Sequence, residues 1–242
     1  MAEKDSISIQ KRIEQGISAW ERSDYQTALN DFQAVLAEHS GFPDVHNKAG
    51  LCLAMLGDPE GALKEFDEAL RLSDTYAEAH LNRAIVLQEL GRFEEARKHL
   101  RRADELEQRD SGTFPSDVGH RIAIGHAKLG DLYLVADHPR EAADQYRMAL
   151  EVRARFLDIR SKYAEALMGM ERWEEARKQL QIILDGNPNF TSARIRLGVV
   201  LQRTGDLEGA RDQWERCVRE DPRDMRAKAY LASVTGSEEG GA

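Results

Sequence analysis

Three histidines, at positions 46, 80 and 126, are the side chains whose type and regular spacing first suggest chemistry. Imidazole is a common metal ligand, and the donor atoms around one zinc ion lie within about 4 Å of each other. Neighbouring packed helices stand about 8–10 Å apart, so equivalent residues on successive helices do not readily chelate one ion. We therefore predict that these histidines pack at the edge of a core and that the chain has no metal site.

Motifs of catalytic or cofactor-binding chemistry are absent from the sequence. It contains no G-x-S-x-G, H-E-x-x-H or C-x-x-C motif and no phosphate-binding glycine loop. The acid pairs Glu94-Glu95 and Glu174-Glu175 stand at expected helix starts, where carboxylates complement the helix dipole and face solvent. The sequence therefore predicts no catalytic residue, no cofactor and no enzymatic activity.

Composition and charge narrow the class of protein. The 242 residues are 41% hydrophobic and 32% charged, with no apolar run long enough for a membrane helix, which indicates a soluble chain. The start, MAEKDSISIQKR, lacks the apolar stretch of a signal peptide, so a cytoplasmic location is expected. The net charge of −9 argues against nucleic acid as a partner. Residues 1–100 hold 11 Lys and Arg against 18 Asp and Glu, whereas residues 151–234 hold 16 against 14.

The chain also repeats itself. The segment ERWEEARKQL at 171–180 nearly copies GRFEEARKHL at 91–100, and alanines recur in this register every 34 residues, with one interval of 46. A small residue stands twelve positions before each alanine, and a large one stands four positions after it. The alanines are Ala28, Ala62, Ala96, Ala142, Ala176 and Ala210; the small residues are Gly16, Gly50, Ala84, Gly130, Ala164 and Gly198; the large ones are Phe32, Phe66, Leu100, Tyr146, Leu180 and Trp214. Chance does not explain one register kept in six copies, so the chain is a tandem repeat.

Helical geometry accounts for this register. Apolar residues at the alanine and at four and seven positions later lie on one face of a helix. The small residue belongs to a preceding antiparallel helix, which can approach closely only where side chains are small. Gly57, Gly91 and Gly205 are predicted to end the first helix of their pairs. One pair cannot bury its apolar face alone, so stacked pairs must share a core.

A 34-residue helix–turn–helix with small residues at these positions resembles the tetratricopeptide repeat. In that frame the repeats run 9–42, 43–76, 77–110, 123–156, 157–190 and 191–224. The resemblance implies an all-α fold, a right-handed α-solenoid of six helix–turn–helix repeats with a capping helix at 225–234. The family's aromatic residue at the fourth repeat position is replaced by Arg12, His46, His80, His126, Arg160 and Arg194. Residues 1–8 would be an N-terminal extension and 235–242 a disordered tail.

An insert at 111–122, SGTFPSDVGHRI, separates repeats one to three (9–110) from repeats four to six (123–224). In one interpretation it is a surface loop. In another it extends the next helix backwards, with Ser116 as cap and an apolar stripe of Val118, Ile122, Leu129 and Tyr133. A third interpretation makes Phe114 an exposed anchor for a partner.

The resemblance also implies a binding surface, because the first helices of the family's repeats line a concave groove. Carried onto this chain, the groove residues are Ile13, Ile17, Trp20, Asn47, Leu51, Met55, Leu81, Asn82 and Ile85 in repeats one to three, and Lys128, Asp131, Leu134, Lys162, Glu165, Ile195, Arg196 and Arg203 in repeats four to six. The first set is unusually apolar for a surface and the second is more basic. Either the apolar residues only pack between helices, or they bind an extended or helical peptide. In the second case the amides of Asn47 and Asn82 would hold the peptide backbone.

Several functions follow from these features. The leading hypothesis is a non-enzymatic adaptor or scaffold that binds a partner protein or peptide in the groove. A second is self-assembly, in which the acidic first half of one copy meets the basic last third of another, head to tail. The resemblance also allows an accessory role in a bacterial envelope or secretion assembly. An enzyme is the remaining alternative, and it predicts a pocket with converging polar groups.

Overall fold

The computed structural model describes residues 2–110 and 117–235, which form thirteen helices and no strand. Helices α1–α6 span Ala2–Glu21, Tyr25–Glu38, Pro43–Met55, Pro59–Leu72, Ala77–Glu89 and Phe93–Asp110. Helices α7–α13 span Asp117–Val135, Pro139–Val152, Leu157–Gly169, Trp173–Gly186, Thr191–Arg203, Leu207–Glu220 and Met225–Thr235. The chain divides into two compact units, Met1–Gly125 and His126–Ala242. The predicted all-α helical repeat fold is confirmed.

Neighbouring helices pack in the order of the repeat. In the first unit α1 packs on α2, α3 on α4 and α5 on α6, and each first helix after α1 also contacts the second helix of the preceding pair. In the second unit α9 packs on α10 and α11 on α12 in the same way. A helix pair such as α3 and α4 is therefore covered by neighbouring helices on both sides, as a stacked repeat requires.

The segments expected outside the repeats have clear positions. Helix α1 begins at Ala2, so most of the N-terminal extension expected at 1–8 belongs to the first helix. Helix α13 covers the segment expected to cap the last repeat, and it buries Ala227 and Val234 while contacting α11 and α12. Residues 236–242, which are nearly all of the expected tail, lie outside the described residues.

The second half of the insert is helical. Helix α7 begins at Asp117, so residues 117–122 extend the first helix of repeat four backwards. Ile122, Leu129 and Tyr133, from the apolar stripe expected for this arrangement, are buried. Residues 111–116, which include the expected cap Ser116 and the expected anchor Phe114, lie outside the described residues.

The small residues make room for the large ones. A Cβ atom added to Gly50 would lie 2.7 Å from the ring of Phe66, and one added to Gly130 would lie 2.7 Å from the ring of Tyr146. Gly16 faces Phe32 and Gly198 faces Trp214 in the same way. Where the sequence has alanine at this position, in repeats three and five, the partner is the smaller leucine (Leu100 and Leu180). Close packing thus couples the two positions, because a buried core tolerates little extra volume.

The turns inside the helix pairs need a left-handed backbone. Gly57, Gly91 and Gly205 have φ of 83°, 73° and 90°, so they end the first helices of their pairs as predicted. The equivalent residues of the other three repeats are Ser23, Asp137 and Glu171, with φ of 61°, 59° and 58°. Those three repeats reach the same turn with residues that favour it less.

Two different side-chain pairs start the second helices. In α2, α4 and α12 an aspartate caps the helix, as where Asp58 accepts a hydrogen bond from the Gly61 amide at 2.9 Å. In α6 and α10 an arginine stands there instead and binds the glutamate three residues later with two hydrogen bonds, as Arg172 does with Glu175. The near-identical segments at 91–100 and 171–180 therefore start their second helices with the same arginine–glutamate pair. This pair takes the place of the aspartate cap found in α2, α4 and α12.

The residue at the fourth repeat position makes a polar link that we call the position-four latch. In repeats two to six it bonds the residue nineteen positions later on the second helix of its pair. In most repeats it also bonds a carbonyl six positions earlier, in the preceding turn. His46 contacts Glu65 and the Ser40 carbonyl, and Arg160 donates to Gln179 and the Ala154 carbonyl. His80, His126 and Arg194 occupy the equivalent places. Polar latches thus stand where the family has an aromatic residue.

Candidate partner-binding surface

An apolar pocket of about 190 Å³ lies on the first unit, between helices α1, α2, α3 and α5. It is lined by Ile17 and Trp20 from α1, Phe32 from α2, Asn47, Lys48 and Leu51 from α3, and Glu78 from α5. The structure thus brings four predicted groove residues, Ile17, Trp20, Asn47 and Leu51, to one cavity.

Helical spacing places these side chains. Ile13, Ile17 and Trp20 follow each other at intervals of four and three residues, so they share one face of α1, and all three pack against the core around Phe32. Asn47, Leu51 and Met55 are four residues apart on α3. Met55 is 56% exposed, whereas Leu51 is half-buried, so this stripe runs from the pocket into solvent.

A chain of buried amides forms one side of the site. Asn82 Nδ2 donates to Asn47 Oδ1 at 3.0 Å, which joins α5 to α3. Asn47 Nδ2 lies 3.4 Å from the hydroxyl of Tyr76, and Arg121 Nη2 donates to Asn82 Oδ1 at 2.6 Å. We call Asn47, Asn82, Tyr76 and Arg121 the amide ladder. Its members satisfy one another, so polar groups are buried here at little cost.

Burial corrects part of the predicted groove. Leu81 has no exposed surface, and Asn47 and Asn82 are only 2% and 1% exposed. In the second unit Ile195 is 6% exposed. Leu81 and Ile195 are therefore core residues, and the two asparagines hold neighbouring helices together in this structure. Ile13, Ile17, Leu51 and Ile85 are partly exposed, so the accessible part of the surface is smaller and more apolar than predicted.

Charged groups border the pocket. Glu78 accepts a hydrogen bond from Arg121 Nη1 at 3.1 Å, and Lys48 Nζ lies 4.0 Å from Asp44 Oδ2. Burial, together with the carboxylates of Glu78 and Asp44, raises the pKa of Tyr76 to about 12. The phenol therefore keeps its proton at neutral pH, and its oxygen can accept the hydrogen bond from Asn47. Each of these two carboxylates is paired with one of the two basic groups, so the rim carries both signs of charge.

The corresponding helices of the second unit carry ion pairs instead. Lys162 Nζ donates to Asp131 Oδ2 at 2.7 Å, and the hydroxyl of Tyr146 donates to Asp131 Oδ1 at 2.7 Å. Arg196 donates to Glu165 at 2.8 Å and also to Ser161. Lys162 and Arg196, both predicted groove residues, thus link successive first helices. Lys128 and Arg203 are exposed, and neither forms an ion pair within the part of the chain that the structure describes.

Four residues at or beside the pocket were not predicted as groove residues: Phe32, Lys48, Glu78 and Arg121. Phe32 lies on a second helix and counts in the sequence only as a packing residue, although its position opposite Gly16 already places it beside α1. Arg121 lies in the insert, where the sequence leaves helix and loop open, so nothing in the pattern indicates that it reaches Glu78 and Asn82. Only the helical start of α7 brings it there.

His46, His80 and His126 each belong to a different position-four latch. Among residues 2–110 and 117–235 no group of three or more His, Cys, Asp and Glu could hold a metal ion. Cys52 and Cys217 are buried and unpaired, and burial raises the pKa of both thiols. In the same ranges no helix is long and apolar enough to cross a membrane.

Solved structures of helical-repeat proteins resemble this chain. YrrB, described as a TPR protein with an unusual peptide-binding site, matches with a TM-score of 0.59 and 19% identity over 82% of this chain and 96% of that one. PilF of Pseudomonas aeruginosa matches with 0.56 and 17% over 94% and 98%. A chain from the Naa15/Naa10 complex bound to HypK-THB matches with 0.70 and 18% over 96% of this chain and 34% of that one. At these identities the likeness shows the fold alone.

Family profiles match most of the repeats. One profile described as tetratricopeptide repeat matches residues 13–77, 127–189 and 162–224, and a second with the same description matches 53–112. These ranges contain the glycine–aromatic pairs and most of the turns described above. The chain belongs to the tetratricopeptide repeat family.

Proposed function

We propose that this protein is a non-enzymatic adaptor that binds a partner protein or peptide at the pocket of the first unit. The observation that carries the proposal is the cavity of about 190 Å³ with its apolar lining of Ile17, Trp20, Phe32 and Leu51. An accessible apolar cavity beside partly exposed apolar side chains is typical of binding surfaces. Membership of a repeat family that binds proteins supports the same function.

The volume and the lining of the pocket indicate the kind of peptide that it would bind. Its volume suits one large aliphatic or aromatic side chain, which would contact Trp20 and Leu51. Met55 on α3 is exposed and Ile85 on α5 is half-buried. Both would contact neighbouring residues of the peptide. Residues 1–100 hold 18 Asp and Glu against 11 Lys and Arg, and this acidic excess favours a Lys or Arg next to the apolar anchor. The amide ladder keeps α3 and α5 in place rather than binding the backbone.

A peptide selection tests this proposal. The full chain is used to select ligands from a displayed random peptide library, and the affinities of the enriched peptides are measured by fluorescence anisotropy. We expect enriched peptides to combine a large apolar residue with an adjacent Lys or Arg. Leu51→Glu should weaken their binding at least tenfold, because a carboxylate in the pocket loses its hydration without gaining a partner.

Ile182→Glu is the matched control. Ile182 is 45% exposed on α10, so the same chemical change falls on an apolar surface residue of the other unit. Circular dichroism of both variants verifies that the helices persist. Equal weakening by Leu51→Glu and Ile182→Glu, or peptides without an apolar anchor, would contradict the proposal.

Self-assembly is a second candidate function, favoured by the acidic first hundred residues and the slightly basic 151–234. Head-to-tail contacts driven by this difference would weaken with salt. Light scattering of the full chain at 50 and 500 mM NaCl distinguishes the two outcomes. A mass that falls with salt supports assembly, and a salt-independent monomer rules it out.

A further inference from the structure

Two histidines of the first unit bond each other between α5 and α6. His80 Nδ1 lies 2.8 Å from His99 Nδ1, and the two rings are 5.0 Å apart, centroid to centroid. The other nitrogen of His80, Nε2, lies 3.2 Å from the carbonyl oxygen of Asp74, in the turn before α5. The other nitrogen of His99, Nε2, lies 2.9 Å from Nη1 of Arg83.

The outer partners determine where the protons are. The Asp74 carbonyl can only accept, so His80 Nε2 must carry a hydrogen, and in a neutral ring Nδ1 is then an acceptor. Arg83 can only donate, so His99 Nε2 must be bare and His99 Nδ1 must carry the hydrogen. The bonds therefore run in one direction, from Arg83 to His99, from His99 to His80 and from His80 to Asp74. All three bonds exist together only while both rings are neutral.

An added proton disrupts this chain. A second proton on His80 sets two N–H groups against each other at 2.8 Å, and one on His99 sets an N–H group against Arg83. Arg83 is held in place by Asp67, to which its Nε donates at 2.8 Å. The other charged groups that act on the rings are Glu95 and Arg102 on α6 and Asp74 in the turn.

Burial favours the neutral form of both rings, as the hydrogen-bond geometry does. It lowers the pKa of His99 to about 4, with Arg83 as the next cause, and it lowers the pKa of His80 as well. Both rings therefore stay neutral in the folded chain at pH 7. Their unfolded pKa is about 6.5, so below that pH the unfolded chain takes up protons that the folded chain rejects.

The His80–His99 pair stabilises the turn before α5, and α5 forms one wall of the pocket. The bond to Asp74 fixes the turn between α4 and α5, and Tyr76, two residues further on, contacts Asn47 of the amide ladder. Glu78 at the pocket rim follows on α5. Loss of the latch would therefore loosen the start of the helix that forms one wall of the pocket.

We infer that the His80–His99 pair is a proton-sensitive latch, which closes the α4–α5 turn at neutral pH and opens more readily in mild acid. Two equivalent positions among the described residues lack this property. Arg160 is paired with Gln179, and His126 with Gln145, and in both a neutral amide oxygen faces the position-four residue. A glutamine accepts a hydrogen bond from a protonated histidine without conflict. The inference does not rest on the proposed function, because it concerns the free chain.

Hydrogen exchange of the full chain gives the first test. Protection factors, corrected for the intrinsic pH dependence of exchange, are compared at pH 7.5 and 5.5 for residues 73–89 and for 153–169, the equivalent segment around Arg160. With a folded pKa of about 4 for His99, opening should become roughly tenfold more favourable at pH 5.5. We expect this loss in 73–89 and not in 153–169. An equal change in both segments would overturn the inference.

Two variants isolate the latch from other titrating groups. His99→Gln recreates the His126–Gln145 pair, and His80→Arg with His99→Gln recreates the Arg160–Gln179 pair. Both should abolish the extra loss of protection at pH 5.5 while leaving pH 7.5 protection within about threefold. If either folded variant keeps the full acid response, the histidine pair is not its cause.

Nitrogen-15 NMR of the imidazole rings tests the proton positions directly. At pH 7.5 the ring signals should show a hydrogen on Nε2 of His80 and on Nδ1 of His99, with neither ring protonated twice above pH 5.5. The opposite tautomers, or a His99 that titrates near 6.5, would also overturn the inference.

Discussion

The two units use one backbone frame and fill its equivalent positions with different chemistry. On the first unit, the buried amides of Asn47 and Asn82 join α3 to α5 beside apolar side chains, and the ion pair Glu78–Arg121 joins α5 to α7. On the second unit, neighbouring first helices are joined by the ion pairs Asp131–Lys162 and Glu165–Arg196. The position-four residue does not follow this division, since the first unit has Arg12, His46 and His80 and the second has His126, Arg160 and Arg194.

The difference has a physical basis. An amide pair carries no net charge, so it can be buried among apolar groups once its hydrogen bonds are made. An ion pair loses hydration energy on burial, and here both partners of the Asp131–Lys162 pair keep more than 40% of their side-chain surface in water. The first unit can therefore present an apolar pocket beside its links, whereas the second presents a charged surface. Four predictions test how far this comparison extends.

The largest effect is expected at the amide ladder. Asn82→Ala removes the donor to Asn47 and the acceptor of Arg121, and so leaves buried polar groups without partners. We expect the free energy of unfolding to fall by about 3 kcal/mol. Urea denaturation followed by circular dichroism measures it. A loss below about 1 kcal/mol would show that water replaces the ladder, and the contrast with the ion pairs would then be small.

The close packing of a glycine on the first helix against a large ring on the second should limit side-chain volume in both units. Gly50→Ala and Gly130→Ala each place a methyl group 2.7 Å from a buried ring, and each should cost about 1–2 kcal/mol despite alanine's better helix propensity. Adding Phe66→Leu to Gly50→Ala recreates the Ala84–Leu100 pair and should recover at least half of that loss. Thermal or urea unfolding of the single and double variants measures the recovery, and additive losses would contradict the packing argument.

Glu171 and Gly91 occupy aligned positions in the two near-identical segments, with φ of 58° and 73°. Glu171→Gly should stabilise the chain by about 0.5–1 kcal/mol, because the left-handed backbone strains a residue with a Cβ atom. Gly91→Glu should destabilise it by a similar amount. The two midpoints of unfolding should therefore move in opposite directions, and movement in the same direction would refute the assignment.

The smallest effect is expected at the exposed ion pair of the second unit. Lys162→Ala should lower the free energy of unfolding by about 0.5 kcal/mol at low salt and by less in 0.5 M NaCl. Denaturation at the two salt concentrations measures both values. A large, salt-independent loss would mean that Asp131 and Lys162 act as a buried pair, contrary to their exposure.

Sequence reasoning recovered the repeat frame, because packing fixes the residue types that carry it. Gly50 and Phe66, or Gly91 with its positive φ, are constrained by atoms only one helix away, so their spacing is visible in one dimension. The apolar stripe of Ile17, Leu51 and Met55 follows from the same frame. The repeat frame does not predict how accessible each groove position is. Leu81 and Met55 both belong to the predicted groove, yet Leu81 is fully buried and Met55 is 56% exposed.

The sequence by itself thus determined the all-α repeat, the helix pairs, the turn glycines and the family. Those features depend on local periodicity and on contacts at fixed separations. Only the tertiary structure decided which polar residues meet across repeats. Asn47 with Asn82, Arg121 with Glu78, and His80 with His99 each depend on the rotation of one helix against another. A shift of a few ångströms there makes or breaks a hydrogen bond, and no single sequence records such a shift.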